Sequence, residues 1–154
     1  MLAAACWTET LRGQDFRTLD GTVAGEVEAL AETILPGARD AGVIRFIDVA
    51  LAGYDQDRRT DYQKGMAEVQ ARRAALFPDS KNIAGLNEQE RIRLVTDIEK
   101  SDFFGLVRRH TILGFFGHPR HGGNRNGAST KLLGIQEAMM YSPPFGYYDR
   151  EVAK

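Results

Sequence analysis

Asn87-Glu88-Gln89-Glu90 stands directly ahead of the apolar residues Ile92, Val95 and Ile98, and Ser101-Asp102 stands ahead of Phe103, Leu106, Val107, His110 and Gly114. The first pattern is a capping box, in which the Asn side chain takes a backbone N–H of the first turn while the Glu three residues on reaches back. The second offers Ser101 or Asp102 as the cap of another helix. Apolar residues three and four apart follow each cap, which is the period of one helix face. The same period extends outward. From Thr22, Val23, Val27, Leu30, Ala31 and Ile34 mark a helix that Pro36-Gly37 ends, because the residue before a proline leaves the helical region. Val43 to Leu51 reads as a second helix with Ile44, Ile47 and Leu51 on one face, stopping near Gly53. Thr60 to Phe77 reads as a third, with Tyr62, Met66, Val69 and Leu76 inward, Arg72-Arg73 outward and Pro78 closing it. Nothing alternates with strand periodicity over a useful length. The expected fold is all-α: a compact bundle of about five helices, with a long Gly-rich loop and an extended aromatic C-terminal tail.

The chain has 154 residues, which suits one domain large enough to bury a core without a metal or disulfide staple. Twenty Lys and Arg against 21 Asp and Glu leave a net charge of −1. That balance argues against a nucleic-acid partner, which needs a surplus of cations to displace counterions. No apolar stretch approaches the roughly 20 residues that cross a bilayer, so no direct membrane span is expected. Cys6, the single cysteine, excludes an intrachain disulfide. Residues 1–20 form an N-terminal segment, 21–136 the helical domain and 137–154 the tail. Ala3-Ala4-Ala5-Cys6 faintly resembles the end of a signal peptide or a lipoprotein cleavage box, and reads first as an ordinary flexible chain start.

After Phe116 the composition changes. His118-Pro119-Arg120-His121-Gly122-Gly123-Asn124-Arg125-Asn126-Gly127 is rich in turn formers, and a loop this long in a compact domain is usually functional or disordered. Its glycines are expected to let a partner's backbone approach closely. Arg108, Arg109, Arg120 and Arg125 gather positive charge near it. Two readings stand: a solvated face balanced by Glu99 and Asp102, or a recognition edge whose planar guanidinium groups pair with a partner's carboxylates. His110, Phe116, His118, Pro119, His121, Gly122, Gly123 and Asn124 join these arginines as interface candidates. So do Tyr141, Phe145, Tyr147 and Tyr148 of the proline-stiffened tail, which a bundle of this size has little room to bury. A metal site would draw on His118, His121 and His110, with Asp102 eight residues before His110, yet no His-Glu-x-x-His or Cys-x-x-Cys spacing accompanies them. The favoured reading is a partly buried helix residue at His110 and loop hydrogen-bonders at His118 and His121. Gly122-Gly123-Asn124 lacks the context of a phosphate loop. No nucleophile triad can be assembled. The residues alone therefore leave three functions open: an interaction subunit, a small metal-dependent enzyme, or a stand-alone helical binding module.

Phe103-Phe104-Gly105-Leu106-Val107-Arg108-Arg109-His110-Thr111, then Gly114-Phe115-Phe116, Pro119, Gly122 to Gly127 and Lys131-Leu132-Leu133-Gly134, resemble the gluconate 2-dehydrogenase subunit 3 family. Leu30 to Pro36 and Gly37 to Val43 are similar to that family's opening helix and turn, so the resemblance runs from about Leu19 to Ile135. The Gly-Gly-Asn loop is its most specific part; Thr130 stands where members often have Trp. The resemblance implies a small subunit with no cofactor of its own, no catalytic residue and no metal. Its large partner would be a dehydrogenase similar to the glucose-methanol-choline oxidoreductases and would hold FAD, with a cytochrome c subunit receiving electrons in related complexes. The substrate would be a sugar, a sugar acid or the 3-hydroxyl of a glucoside. The resemblance also implies a periplasmic location reached on a twin-arginine signal of the small subunit. Arg108-Arg109 is internal to a helix and cannot serve as that signal; either the chain was cut or its start misassigned, or this member works without export and is cytoplasmic.

Overall fold

The computed structural model describes residues 16–135. The readings placed on residues 1–15 and on Tyr141, Phe145, Tyr147 and Tyr148 lie outside the described residues. Within them the chain is all-α, with six helices and no strand. They are α1 (Gly21–Ile34), α2 (Val43–Ala52), α3 (Arg59–Leu76), α4 (Glu88–Ile98), α5 (Asp102–Phe116) and the short α6 (Ala128–Leu133), with 3-10 turns at Gln56–Arg58, Pro119–His121 and Arg125–Gly127. The sixth helix, which includes Lys131-Leu132-Leu133, lies beyond the five expected.

The local signals act as their chemistry requires. Asn87 Oδ1 accepts from Glu90 N at 3.0 Å and Glu90 Oε2 accepts from Asn87 N at 2.8 Å, closing the capping box of α4. Ser101, rather than Asp102, caps α5 by accepting from Phe104 N at 3.1 Å. Asp20 caps α1 through Thr22 N, and α1 ends one residue short of Leu35-Pro36.

Helix α1 departs from the one-faced helix expected of it. It packs against α2, α4 and α5, and its whole middle, Ala24 to Ala31, is buried. Small residues (Ala24, Gly25, Ala29, Ala31) let three helices approach at once, which takes Glu26 and Glu28 into the interior as well. A buried carboxylate needs partners. Glu26 Oε2 accepts from Ile83 N and from Gln70 Nε2, both at 2.7 Å, tying α1 to α3 and to the α3–α4 connection. Glu28 pairs with Arg39 Nε at 3.3 Å. Burial pushes both carboxyls above the usual carboxylate range, partly offset by these bonds.

Two further departures concern phase. In α4 the inward residues are Leu94 and Ile98, while Ile92 is half exposed, because α4 docks on α1 and α3 with the face one position away from the stripe counted from Ile92. Helix α3 buries only Tyr62, Gly65, Met66 and Val69, a narrow i, i+3, i+4, i+7 face, and Leu76 is half-buried at its end. The core joins these to Val27 and Leu30 of α1, to Ile44, Ile47 and Leu51 of α2, and to Phe103, Val107 and Phe115 of α5.

Candidate functional site

The loop after α5 is an internal clasp. Gly117 ends the helix, and His118 Nδ1 accepts from Arg120 N at 3.2 Å to start the Pro119–His121 turn. Gly122, at φ +100°, lies against the backbone of Arg45 and Phe46 in α2. At Gly123 an added Cβ would collide with the carbonyl oxygen of Gly114, so only glycine lets the loop lie back on α5. Asn124 then turns its N–H and its side-chain amide inward. Its N–H donates to Gly114 O at 2.8 Å, its Nδ2 donates to Gly117 O at 3.0 Å, and its Oδ1 accepts from Ser129 N at 2.9 Å in the first turn of α6. It does so from the left-handed region, at φ 46°, which Asn tolerates better than most residues. Arg125 N donates to Ala41 O at 3.0 Å, and its side chain lies across Gly42 at the start of α2.

The close backbone approach expected of a partner is thus made by this chain itself. Gly123 and Asn124, expected at an interface, are buried, because the loop must satisfy the open carbonyls at the end of α5. Gly122 is half-buried, and Arg108, Arg109, Phe116, His118, Pro119, Arg120, His121 and Arg125 remain exposed.

His110 is also withdrawn from the surface. It is fully buried and stacked on Tyr62, with ring centroids 5.7 Å apart and planes 12° apart. Its Nδ1 lies 2.9 Å from the Tyr62 hydroxyl and its Nε2 lies 2.8 Å from Asp55 Oδ2. The consistent tautomer is neutral: Nε2–H donates to Asp55, and the Tyr62 O–H donates to Nδ1. Both ring nitrogens are therefore used, and His118 and His121 stand apart on the exposed loop. Among the described residues no group of three or more His, Cys, Asp or Glu could hold a metal ion. The metal reading of the three histidines finds no support in this geometry.

Burial pulls the His110 imidazole below the usual histidine range, against the opposing pull of Asp55. The unfolded chain therefore takes up a proton near pH 6.5 that the folded chain refuses, so folding stability should fall as pH drops through that value. Glu26 and Glu28, with raised folded values, tilt stability the other way: their contribution is full below about pH 4.5, the unfolded carboxyl range, and is lost as pH rises through their folded values. His110→Phe isolates the first effect. The loss of thermal stability between pH 7.5 and pH 5.5 should be smaller in the variant than in the parent; parallel profiles would mean that His110 does not titrate differently on folding.

Beside the clasp lies an apolar surface that the sequence reading captured only at Phe116. Ile112, Leu113 and Phe116 on the outer side of α5, with Leu132, Leu133 and Ile135 on and just after α6, are each 40–58% exposed. Helix α6 packs on α5, so these side chains belong to neighbouring elements. A signal existed at 112–116, where the apolar residues run past the face marked by Val107, Thr111 and Gly114. Such a helix is apolar on more sides than one contact requires.

A family model described as gluconate 2-dehydrogenase subunit 3 matches residues 25–132, from α1 through the clasp into α6. Nothing matches among curated proteins or among solved structures.

Proposed function

Because the chain belongs to the gluconate 2-dehydrogenase subunit 3 family, a family named for a subunit of a dehydrogenase complex, we propose that it binds and stabilises a large FAD-containing subunit. The partner is a glucose-methanol-choline-like dehydrogenase acting on a sugar, a sugar acid or a glucoside. Oxidation takes place there, with hydride passing to FAD, and this chain supplies binding surface rather than catalytic groups. The complex works in the periplasm and hands electrons to a cytochrome c subunit.

The observation that carries this reading is the exposed apolar face of α5 and α6, edged by Arg108 and Arg109 of α5. Clustered exposed apolar side chains of this kind mark contact surfaces. The buried state of His110, with both nitrogens taken, favours a subunit role over a catalytic one. Leu113→Glu combined with Phe116→Glu tests it in the native host. Burying each side chain contributes about 1.5–3 kcal/mol, so co-purification of a flavin-containing dehydrogenase should fall by tenfold or more, since about 1.4 kcal/mol is tenfold. Ile92→Glu changes an equally exposed apolar residue on α4 and should leave co-purification intact. Loss in the α4 variant with retention in the α5 variant would place the partner on another face.

A further inference from the structure

A cleft of about 520 Å³ lies between the segment leading into α1 and the first half of α3. Its walls are apolar where Leu19, Val23, Leu51 and Met66 meet, and Arg17 and Arg59 also line it. Both arginines are anchored with no carboxylate partner for the guanidinium among the described residues. Arg17 is held by its backbone N–H, which donates to Asp48 Oδ2 at 2.8 Å. Arg59 is held by its Nε, which donates to the Leu51 carbonyl at 2.6 Å. Neither guanidinium forms an ion pair among the described residues. The one carboxylate on the lining, Asp20, is the N-cap of α1. The Tyr62 hydroxyl is turned to His110, and the Thr18 hydroxyl reaches the Asp48 carbonyl.

We propose that this cleft binds a small amphipathic carboxylate, its charge between Arg17 and Arg59 and its hydrocarbon part along Leu19, Val23, Leu51 and Met66. The volume falls within the range of small-molecule sites, about 300–1,000 Å³. The planar fork of a guanidinium suits a carboxylate, and a charge-assisted bond of this kind is about twice as strong as a neutral one. A polyhydroxylated acid fits less well. Thr18, Tyr62 and Asp20 are already engaged, which leaves Gln63 as the one uncharged polar side chain of the lining to meet its hydroxyls, and hydroxyls buried without partners are costly.

Titration of the full chain with octanoate, gluconate and octylamine, followed by calorimetry or amide NMR, tests the site. Octanoate should saturate with a dissociation constant of about 1 mM or tighter, shifting the amides of residues 17–23. Gluconate, which keeps the charge without the chain, and octylamine, which keeps the chain without the negative charge, should each bind at least tenfold more weakly. Arg17→Ala keeps the backbone bond to Asp48 and should weaken octanoate about tenfold with no change in melting temperature. Arg59→Gln, which retains a donor for the Leu51 carbonyl, should weaken it similarly. Absence of saturation, equal binding of gluconate or octylamine, or full affinity in both variants would each overturn the proposal.

Discussion

Gly123→Ala is expected to destabilise the chain by about 3 kcal/mol, the upper part of the range for forcing an extra carbon into a packed site. For a chain of this size that corresponds to a drop of roughly 6–12 °C in melting temperature. The new Cβ would meet the Gly114 carbonyl, which is backbone and cannot rotate aside. Relief requires the loop to lift from α5. Lifting it breaks the Asn124 N–H bond to that same carbonyl, and with it the Asn124 bonds to Gly117 and to the first turn of α6. The apolar face shared by α5 and α6 should loosen too, so partner binding should weaken together with stability. Gly105→Ala is the control. That position is exposed on α5 with nothing within 4 Å of an added Cβ. Within a helix the same substitution should stabilise by about 0.5–1 kcal/mol. Thermal unfolding followed by circular dichroism reads both, and a Gly123→Ala variant as stable as the parent would show that the clasp has room it is not credited with here.

Asp48→Ala should cost a similar amount through a different mechanism. Asp48 is 2% exposed, and its carboxylate accepts the backbone N–H groups of Arg17, Thr18 and Leu19 at 2.8, 2.8 and 3.1 Å. Hydrogen bonds to a charged group contribute about 1.5–3 kcal/mol each, and donors left buried without a partner carry a further penalty. Water reaching these part-buried N–H groups offsets part of that sum, which leaves a total loss of about 3–5 kcal/mol. Asp48→Asn should fall between variant and parent. Its oxygen can keep Thr18 and Leu19, while its amide group would face the Arg17 N–H, donor against donor. Hydrogen exchange supplies the specific readout: the amides of residues 17–19 should exchange much faster in Asp48→Ala while those of α3 keep their relative order. Because these residues form one wall of the Arg17–Arg59 cleft, octanoate binding should be lost in the same variant. Unchanged exchange at all three amides would remove Asp48 from its anchoring role.

The comparison of sequence with structure turns on how far apart in the chain the interacting groups stand. The caps of α4 and α5, the end of α1 near Pro36 and the end of α3 before Pro78 all depend on groups within a few residues of one another. A capping box is closed by Asn87 and Glu90 whatever the rest of the chain does, so these elements, and with them the all-α class, were legible from residue order. The Gly-Gly-Asn loop was legible as a turn and as a family signature, and the family assignment follows from residue order too. What the loop turns toward was not. Whether Gly123 receives a partner's backbone or the chain's own Gly114 carbonyl depends on how α5, α2 and α6 meet, and no local pattern encodes that meeting.

The same holds for the buried charges. Nothing in residue order marks Glu26 and Glu28 for burial, since a carboxylate is costly to bury alone. They are inside because docking three helices on α1 brings Ile83 N, Gln70 and Arg39 to them from 57, 44 and 11 residues away. His110 stands on the apolar stripe of α5 and reads as a partly buried helix residue, but its partners Tyr62 and Asp55, 48 and 55 residues earlier, are supplied only by the fold. The phase of α4 is a smaller instance, since Ile92 and Leu94 are equally apolar and only the contact with α1 and α3 selects Leu94. Residue order by itself determined the caps and ends of α1, α3, α4 and α5 and the family to which the chain belongs, because hydrogen bonds within a turn and the geometry of proline are local. Tertiary structure decided which polar groups are buried, which glycines must stay glycine and which apolar side chains are left exposed, because each depends on groups that only the folded chain brings together.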